Sequence, residues 1–436
     1  MKPMIRVISI LAIVAVLAAC AAPVAAPGGA PAAGGEKTIL RALFMQQAGY
    51  QQSDIEAITQ EFEAQNPDVD VQLDFVAYEA LHDKIITSAA SGAGGYDVVL
   101  MDCIWPAEFA SADFILDVTD RIAEDVKADI WPGALEAVMW QGRLYGMPWL
   151  NDVLYLYYNR AMLEQAGFTA PPKTWSELRE MGMAAKAQGL VEYPFIEYFQ
   201  QEEGLTIAFA YYLFAFGGSF FDDEGKPTFN SPEGLAALNF MVSGLQDGLI
   251  NPASLESTYE EVRRTFSQGA SLFSVNWAYQ LNLANDPAES QIAGDAIVTL
   301  MPGEQDTSAT INGGMGLAIM KASQNPDRAW AYIQFLSSKD VQKRYAQNAL
   351  PIWKSLFDDP ELQAAQPAVA QEQDFVNVSK QQYAFLRNRP IVPYYSETSE
   401  IIAREVQAAL TGAKTAEQAL TDAEAEILKV RAQYAQ

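Results

Sequence analysis

Between residues 38 and 102 the chain alternates strand-like and helix-like segments, and this order limits the folds available to it. Residues 38–45, 69–75 and 96–101 have strand character, while 53–65 and 78–90 carry apolar side chains at helical spacing. The third strand-like run is apolar without alternation, as in a parallel strand covered on both faces. A βαβαβ order predicts an α/β domain that binds ligands at the carboxyl ends of its strands.

Length and composition narrow the class of protein further. A chain of 436 residues exceeds what a single core usually supports, so two domains are predicted. The formal charge of -27 argues against nucleic acid and against electrostatic attachment to anionic lipid. With one histidine and two cysteines, we expect no metal site, and nothing in the sequence indicates a cofactor.

The first residues have the order of a secretory signal. Lys2 and Arg6 precede an apolar run over 7–17, and small residues lead into Cys20. Leu-Ala-Ala-Cys at 17–20 resembles the bacterial lipoprotein box, which implies a signal peptide over 1–19 and lipidation of Cys20. The Ala/Pro/Gly-rich stretch that follows is predicted to be a flexible linker to residue 35. The alternative is an ordinary secretory signal with an incidental cysteine. The protein is thus expected outside the cytoplasm, in the periplasm or on the outer face of the cytoplasmic membrane, attached only through the lipid on Cys20.

Six groups of motifs occur in order along the rest of the chain. They lie at 96–105, at 142–149 with 156–160, at 166–178, at 216–234, at 266–277 and at 312–316. The second contains Gly-Arg-Leu-Tyr-Gly-Met-Pro-Trp, and the third contains Pro-Pro-Lys-Thr-Trp-Ser-Glu-Leu. Together these blocks resemble the family 1 extracellular solute-binding proteins, which capture sugars for ABC importers.

The resemblance implies a two-lobed periplasmic-binding-protein-like α/β fold of class II type, with hinge crossings between the lobes and ligand in the cleft. We place the crossings near 149–153, 308–311 and 348–352. The N-lobe would comprise 36–150 plus 310–349, and the C-lobe 151–309 plus 350–436. Residues 311–320 are predicted to form one strand. The implied partners are a small carbohydrate and ABC permease subunits, and the protein is expected to be a monomer.

Candidate binding residues follow from the chemistry of sugars, which offer apolar ring faces and rims of hydroxyl groups. A site therefore needs aromatic platforms with polar donors and acceptors nearby. Trp149 with Asn151 and Asp152, at a predicted crossing, is the leading cluster, although Trp149 could instead pack the hinge. The remaining candidates follow predicted strands or crossings: Gln46, Gln47, Tyr50, Asp102, Trp105, Asn276, Trp277, Asn312, Gly313, Gly314, Trp353, Tyr394 and Tyr395.

The favoured function is capture of a mono- or oligosaccharide by hinge closure and delivery to an ABC permease, without chemistry on the ligand. A secreted glycan-active hydrolase is the first alternative, because abundant acids leave a catalytic carboxylate pair possible. The second is the same fold with another cargo, such as a polyamine, an amino acid or glycerol phosphate. Asp102, Asp152 and the aromatic residues would also suit a cation.

Overall fold

The computed structural model describes residues 37–46, 49–91, 95–222, 224–305, 308–345 and 350–434. Its strands are β1 (Thr38–Met45), β2 (Val69–Val76), β3 (Val98–Asp102), β4 (Met139–Trp140), β5 (Arg143–Leu144), β6 (Met147–Leu150), β7 (Tyr155–Asn159), β8 (Phe195–Ile196), β9 (Phe273–Asn276), β10 (Ala296–Thr299), β11 (Thr310–Ile311), β12 (Met315–Ile319) and β13 (Leu386–Arg387).

The α-helices are α1 (Gln52–Gln65), α2 (Tyr78–Ser91), α3 (Pro106–Ser111), α4 (Glu124–Asp129), α5 (Pro132–Glu136), α6 (Arg160–Gln165), α7 (Trp175–Ala187), α8 (Glu203–Ala215), α9 (Pro232–Gln246), α10 (Tyr259–Ser267), α11 (Gln280–Leu283), α12 (Pro326–Leu336), α13 (Lys339–Tyr345), α14 (Pro360–Ala365), α15 (Ala368–Glu372), α16 (Phe375–Tyr383), α17 (Tyr395–Leu410) and α18 (Ala416–Tyr434). Short 3-10 helices span Thr119–Arg121, Pro252–Glu256 and Lys354–Asp358. None of the helices within the described ranges has the length and apolar character needed to cross a bilayer.

The first lobe is built on a five-stranded sheet of order β2-β1-β3-β12-β6. Strand β1 runs parallel to β2 and β3, so the predicted βαβαβ unit is present. Strand β12 pairs antiparallel with β3 on one side and with β6 on the other, so β6 forms the second edge of the sheet. All five residues of β3 are buried, as expected for an apolar strand without alternation.

The second lobe is built on a four-stranded sheet of order β10-β7-β9-β8. Alternate residues of β7 enter two separate cores: Leu156 packs with the helical bundle, and Tyr155 and Tyr157 pack on the opposite face. Helix α8 lies at the centre of that bundle, and every residue after Glu203 in it is buried. The fold is therefore α/β with two lobes, as predicted.

The segments that join the lobes lie side by side. Asn151 bridges to Leu350, and Val153 bridges to Asn312, so the three segments predicted to cross between the lobes are adjacent. Strand β13 lies beside these segments because it pairs with β11, a contact that sequence reasoning missed. Because β13 leads into the chain at 388–394, this pairing brings that stretch into the space between the lobes.

Two sequence predictions are corrected by the packing. The strand predicted over 311–320 is interrupted at 312–314 and becomes β11 and β12, because this stretch crosses between the lobes. Residues 350–362 do not belong wholly to the second lobe. Trp353 and Leu362 pack in the first-lobe core, whereas Phe357 packs with the second lobe.

Candidate functional site

A cavity of about 1140 Å³ lies between the lobes and is lined by both of them and by the crossing segments. Its volume slightly exceeds the range of roughly 300–1,000 Å³ for ordinary small-ligand sites. The lining includes the carboxyl end of β3 and the start of α8, where side chains from the two lobes meet. No group of three or more His, Cys, Asp or Glu side chains among the described residues could hold a metal ion.

The first-lobe wall presents a group of aromatic rings. Tyr78, the first residue of α2, stacks on Trp105 with ring centroids 6.0 Å apart. His82, one turn further along α2, packs against Trp105 at 5.2 Å, and its Nε2 lies 3.0 Å from Glu108 Oε2. Trp105 comes three residues after the end of β3, and its N–H donates to the carbonyl of Asp102 at 3.1 Å, so the end of the strand sets the position of this wall.

The second-lobe wall carries a matching group. Tyr259 begins α10, and its ring lies 6.0 Å from that of Trp277, which directly follows β9. Tyr198 packs behind Tyr259 at 4.3 Å. The ring of Trp277 rests against the backbone of Gly313, where an added Cβ would stand only 2.2 Å from the ring. Gly313 thus permits the ring to occupy this place at the crossing.

A buried charge network lies between the two walls. Arg389 Nη1 is 2.6 Å from Glu203 Oε1 of the second lobe, and Nη2 is 3.2 Å from Asp102 Oδ1 of the first. The hydroxyl of Tyr78 donates to Asp102 at 3.0 Å, and that of Tyr395 donates to Glu203 at 2.8 Å. The guanidinium group therefore links both lobes within the cavity lining.

Two other carboxyl groups in the lining have altered acidity. Burial raises the pKa of Asp152 to about 8, although its Oδ1 accepts hydrogen bonds from the backbone N–H groups of Val153 and Ala278. Burial, followed by the charges of Glu79 and other nearby acids, raises the pKa of Glu202 to about 7. Uncompensated negative charge is costly in such surroundings.

Some of the residues predicted from the sequence lie together in the cavity lining: Gln46, Asp102, Trp105, Asp152, Trp277 and Gly313. Gln47 and Cys20 lie outside the described residues. The ligand-binding roles of the residues in the lining stay predictions, because position alone does not identify a contact.

The leading predicted cluster is divided by the structure. Trp149 is only 1 % exposed and stacks on Tyr50 at 4.6 Å within the first-lobe core, so neither ring faces the cavity. The Nδ2 of Asn151 donates to the carbonyl of Pro351 at 3.3 Å, which ties two crossings together. The alternative of hinge packing therefore describes Trp149 and Asn151, and only Asp152 of this cluster lines the cavity.

Two further asparagines are held by structural bonds. Asn276 is fully buried and donates to Gln280 Oε1 at 2.8 Å and to the carbonyl of Tyr259 at 3.1 Å. Asn312 donates to the carbonyl of Gly133 at 2.9 Å and accepts from the N–H of Gly314 at 2.8 Å. These bonds consume the amide groups that a sugar hydroxyl would need.

The remaining predicted aromatic residues also lie outside the lining. Trp353 donates its Nε1 proton to the carbonyl of Ser337 at 2.9 Å within the first lobe. Tyr394 bonds the carbonyl of Gly225 at 3.3 Å. The hydroxyl of Tyr395 donates to Glu203 Oε1 at 2.8 Å.

Sequence reasoning missed several residues of the lining, chiefly Tyr78, His82, Glu203, Tyr259 and Arg389. Three of them, Tyr78, Glu203 and Tyr259, are the first residues of helices, where an acidic residue is also explained by its favourable interaction with the helix dipole. The sequence around His82, with the charged neighbours Asp83 and Lys84, gives no indication that this residue lines a cavity. For Arg389 no signal existed, because its place depends on the pairing of β13 with β11.

Comparisons with known proteins agree on one family. A model described as bacterial extracellular solute-binding protein matches residues 47–343. A probable ABC transporter-binding protein of Deinococcus radiodurans is 31% identical over 364 residues, 81% of this chain and 83% of that protein. A probable amino-acid ABC transporter periplasmic-binding protein of Sinorhizobium fredii is 27% identical over 81% of this chain and 80% of its own length. The structure of maltose-bound T. maritima MalE3 superposes with a TM-score of 0.81, at 31% identity, covering 90% of this chain and 100% of that one.

Proposed function

Because the chain belongs to the bacterial extracellular solute-binding protein family, we propose that it captures a carbohydrate between its lobes and delivers it to an ABC import permease. The single observation that supports a sugar most strongly is the pair of aromatic walls. Tyr78 and Trp105 come from one lobe, and Tyr259 and Trp277 come from the other. Rings of this kind bury the apolar faces of sugars, while carboxylates between them accept hydrogen bonds from sugar hydroxyl groups.

The proposed mechanism is closure of the lobes around the sugar. The adjacent crossings allow the lobes to rotate relative to each other, and a ligand that contacts both walls stabilises the closed form. To shift the population from nearly all open to nearly all closed, the sugar must favour the closed form by about 5.5 kcal/mol. The closed form then presents both lobes to the permease. No bond in the sugar needs to change.

The likeness to MalE3, whose structure has maltose bound, supports maltose as the first probe. The Sinorhizobium relative is a probable amino-acid ABC transporter periplasmic-binding protein, so a non-sugar cargo is the second candidate. Carboxyl groups such as Glu202 in the lining also suit a cationic ligand. We therefore test sugars, an amino acid and a polyamine side by side.

The experiment measures thermal unfolding and calorimetric binding with maltose, maltotriose, D-mannitol, ribitol, D-tagatose, L-glutamine and spermidine. A sugar present at 100 times its Kd should stabilise the folded state by about 2.7 kcal/mol. Stabilisation by glutamine or spermidine alone would contradict the assignment to carbohydrate. Release of new reducing ends from maltotriose would show that the protein is a hydrolase instead.

Further parts of the proposal rest on the sequence of the first residues. We propose that residues 1–19 are removed, that Cys20 carries lipid and that 21–35 tether a monomeric body to the membrane surface. A tether raises the concentration of the loaded protein near its permease, since both are confined to one surface. We also propose that the boundary between the lobes runs within residues 350–362, because Trp353 and Leu362 pack in the first lobe and Phe357 packs with the second.

A further inference from the structure

A carboxylate of the first lobe is shared between the single histidine of the sequence and a hydroxyl of the second lobe. The Nε2 of His82 lies 3.0 Å from Oε2 of Glu108, and the hydroxyl of Ser396 donates to the same oxygen at 2.8 Å. Glu108 lies on α3, whose Phe109 packs in the first-lobe core, whereas Ser396 lies on α17, whose Ile401 packs in the second-lobe core. The bond between Ser396 and Glu108 therefore joins the lobes beside the cavity.

The histidine and its carboxylate partner are shielded from solvent. The side chains of His82 and Glu108 are 20 % and 22 % exposed, and the rings of Trp105 and Phe109 pack on the imidazole at 5.2 and 5.5 Å. Burial lowers the pKa of His82, but the hydrogen bond and the charge of Glu108, followed by those of Asp83, raise this pKa by more, so it lies above its ordinary value. A moderate change of pH therefore changes the charge at this contact between the lobes.

We propose that His82, Glu108 and Ser396 form a proton-sensitive latch, in which protonation of His82 favours the closed form of the two lobes. The inference rests on the proposed function only in that binding is accompanied by closure, and it adds a regulator that does not depend on the cargo. A hydrogen bond from a protonated imidazole to a carboxylate is about twice as strong as one between neutral groups. Protonated His82 therefore holds Glu108 where its Oε2 meets Ser396, and neutral His82 holds it less firmly.

The charges around the latch act in the same direction. The titratable or charged groups on the elements packed against it are Glu79 and Asp83 on α2, Glu397, Glu400 and Arg404 on α17, and Tyr434 on α18, whose hydroxyl donates to Glu397. When His82 is neutral, Glu108 carries an uncompensated charge toward the acids of α17 as the lobes close. When His82 is protonated, the pair has no net charge and this repulsion falls. By linkage, closure should raise the affinity of His82 for its proton.

A second group in the cavity lining titrates in the same range. Burial, and then the charge of Glu79 on the first lobe, raises the pKa of Glu202 on the second lobe to about 7. Protonation of Glu202 also reduces repulsion between the lobes, so the pH response of the native protein contains two contributions. The test is therefore made in a Glu202→Gln background, in which the contribution of His82 remains.

The first measurement is calorimetric binding of maltose, or of the tightest-binding sugar if maltose does not bind. Dissociation constants are compared at about pH 8 and about pH 5.5, the range in which histidine titrates. In Glu202→Gln we expect Kd to be about threefold lower at the acidic pH, as for a partly exposed ion pair. Adding His82→Gln should bring the ratio of the two Kd values close to one. The ratio cancels any direct contact between residue 82 and the sugar.

Two further variants separate the latch from a general effect of charge. Ser396→Ala removes the second-lobe donor and leaves the pair of His82 and Glu108 intact, so it should also bring the ratio of Kd values close to one. Asp83→Asn is the matched control, because Asp83 lies 3.6 Å from His82 on the same helix and its side chain is 90 % exposed. Asp83→Asn should retain the ratio of Glu202→Gln, with its midpoint moved to lower pH.

Two readouts observe the latch directly. Because the chain has one histidine, nuclear magnetic resonance follows a single imidazole, and the pKa of His82 should be higher in the sugar-bound than in the sugar-free protein. Small-angle X-ray scattering of sugar-free Glu202→Gln should give a smaller radius of gyration at about pH 5.5 than at about pH 8, and adding His82→Gln should remove the difference.

The failures of the two proposals are distinguishable. If no tested compound binds at either pH, the proposed function fails, and scattering of the ligand-free protein decides the latch. If a sugar binds, the latch is overturned when His82→Gln or Ser396→Ala leaves the ratio of Kd values as it is in Glu202→Gln, or when binding lowers the pKa of His82. Weaker binding at acidic pH in Glu202→Gln would likewise overturn it.

Discussion

Replacing Gly313 with alanine tests whether Trp277 forms part of a ligand platform. The added Cβ would stand 2.2, 2.7 and 2.9 Å from three atoms of the Trp277 ring. Ordinary contacts of a Cβ begin at 3.4 Å, so the ring must retreat by about 1.2 Å. The backbone cannot easily yield instead, because the Gly313 N–H donates to the carbonyl of Asp152 at 3.0 Å within the crossing.

The expected effect follows from the apolar contact that is lost. A sugar face covering roughly 80 Å² of the Trp277 ring contributes about 2 kcal/mol at about 25 cal/mol per Å². A ring displaced by about a carbon radius loses most of that contact. We therefore expect Gly313→Ala to weaken binding of the tightest-binding sugar among those tested by about 30-fold. Truncation of the ring in Trp277→Ala should cost a similar amount.

Isothermal titration of a double-mutant cycle isolates the mechanism. In the Trp277→Ala background no indole ring remains for the added methyl group to displace, so Gly313→Ala should weaken binding further by less than about twofold. Gly244→Ala serves as the control. Gly244 lies in α9, away from the cavity, and its added Cβ would stand 2.6 Å from the side chain of Ile250. It should alter stability and leave affinity unchanged.

Two results would refute this reasoning. Native affinity in Gly313→Ala would mean that the ring does not contact the ligand or that it moves freely. Additive losses in the double mutant would mean that Gly313 acts through something other than Trp277.

Three other substitutions follow from the structure and the sequence. Glu197 is fully buried, accepts from the hydroxyls of Tyr211 and Tyr212, and has its pKa raised by burial to about 8. Its contribution to the free energy of unfolding should fall by an amount on the order of 5 kcal/mol as pH rises from about 4.5 to 8, because the folded state binds the proton more tightly than the unfolded state. Glu197→Gln should remove this fall. The same pH dependence of the unfolding free energy in the native protein and in Glu197→Gln would contradict the prediction. Asn312→Ala should lower the free energy of unfolding by about 2 kcal/mol, because buried partners such as the carbonyl of Gly133 lose their bonds, and an unchanged urea midpoint would count against this structural role. Cys20→Ser should abolish lipidation and release the protein from membranes while sugar affinity stays native; retention in the membrane fraction would refute the anchor.

The fold was largely predictable because it depends on local patterns. Apolar periodicity locates β1, α1, β2 and α2 to within a residue or two, and the buried run that forms β3 indicates a covered parallel strand. The interruption of the strand predicted over 311–320 was not visible locally. It arises because 312–314 cross between the lobes, where Asn312 bridges to Val153 rather than continuing in the sheet.

The candidate site was only partly predictable. Residues at or just beyond the ends of strands, such as Trp105 and Trp277, were correctly expected to lie at the cavity, because ligands bind at the carboxyl ends of strands in α/β sheets. Trp149 was ranked first because it is aromatic and lies at a crossing, yet it stacks on Tyr50 inside the core. An aromatic residue beside a hinge satisfies the same sequence criteria whether it faces the cleft or the core.

By itself, the sequence determined the α/β class, the two lobes, the family and the edges of the strands that face the cleft. The α/β class and the strand ends follow from local periodicity, whereas the family and the two lobes follow from the resemblance carried by the order of the motifs. Only the tertiary structure decided which polar groups are left for a ligand. Asp102, Glu203 and Arg389 are far apart in the chain, and their meeting depends on how the two lobes pack and on the pairing of β13 with β11. Contacts of this kind are a property of the packing, so no local pattern could have identified the network that Arg389 forms with Asp102 and Glu203.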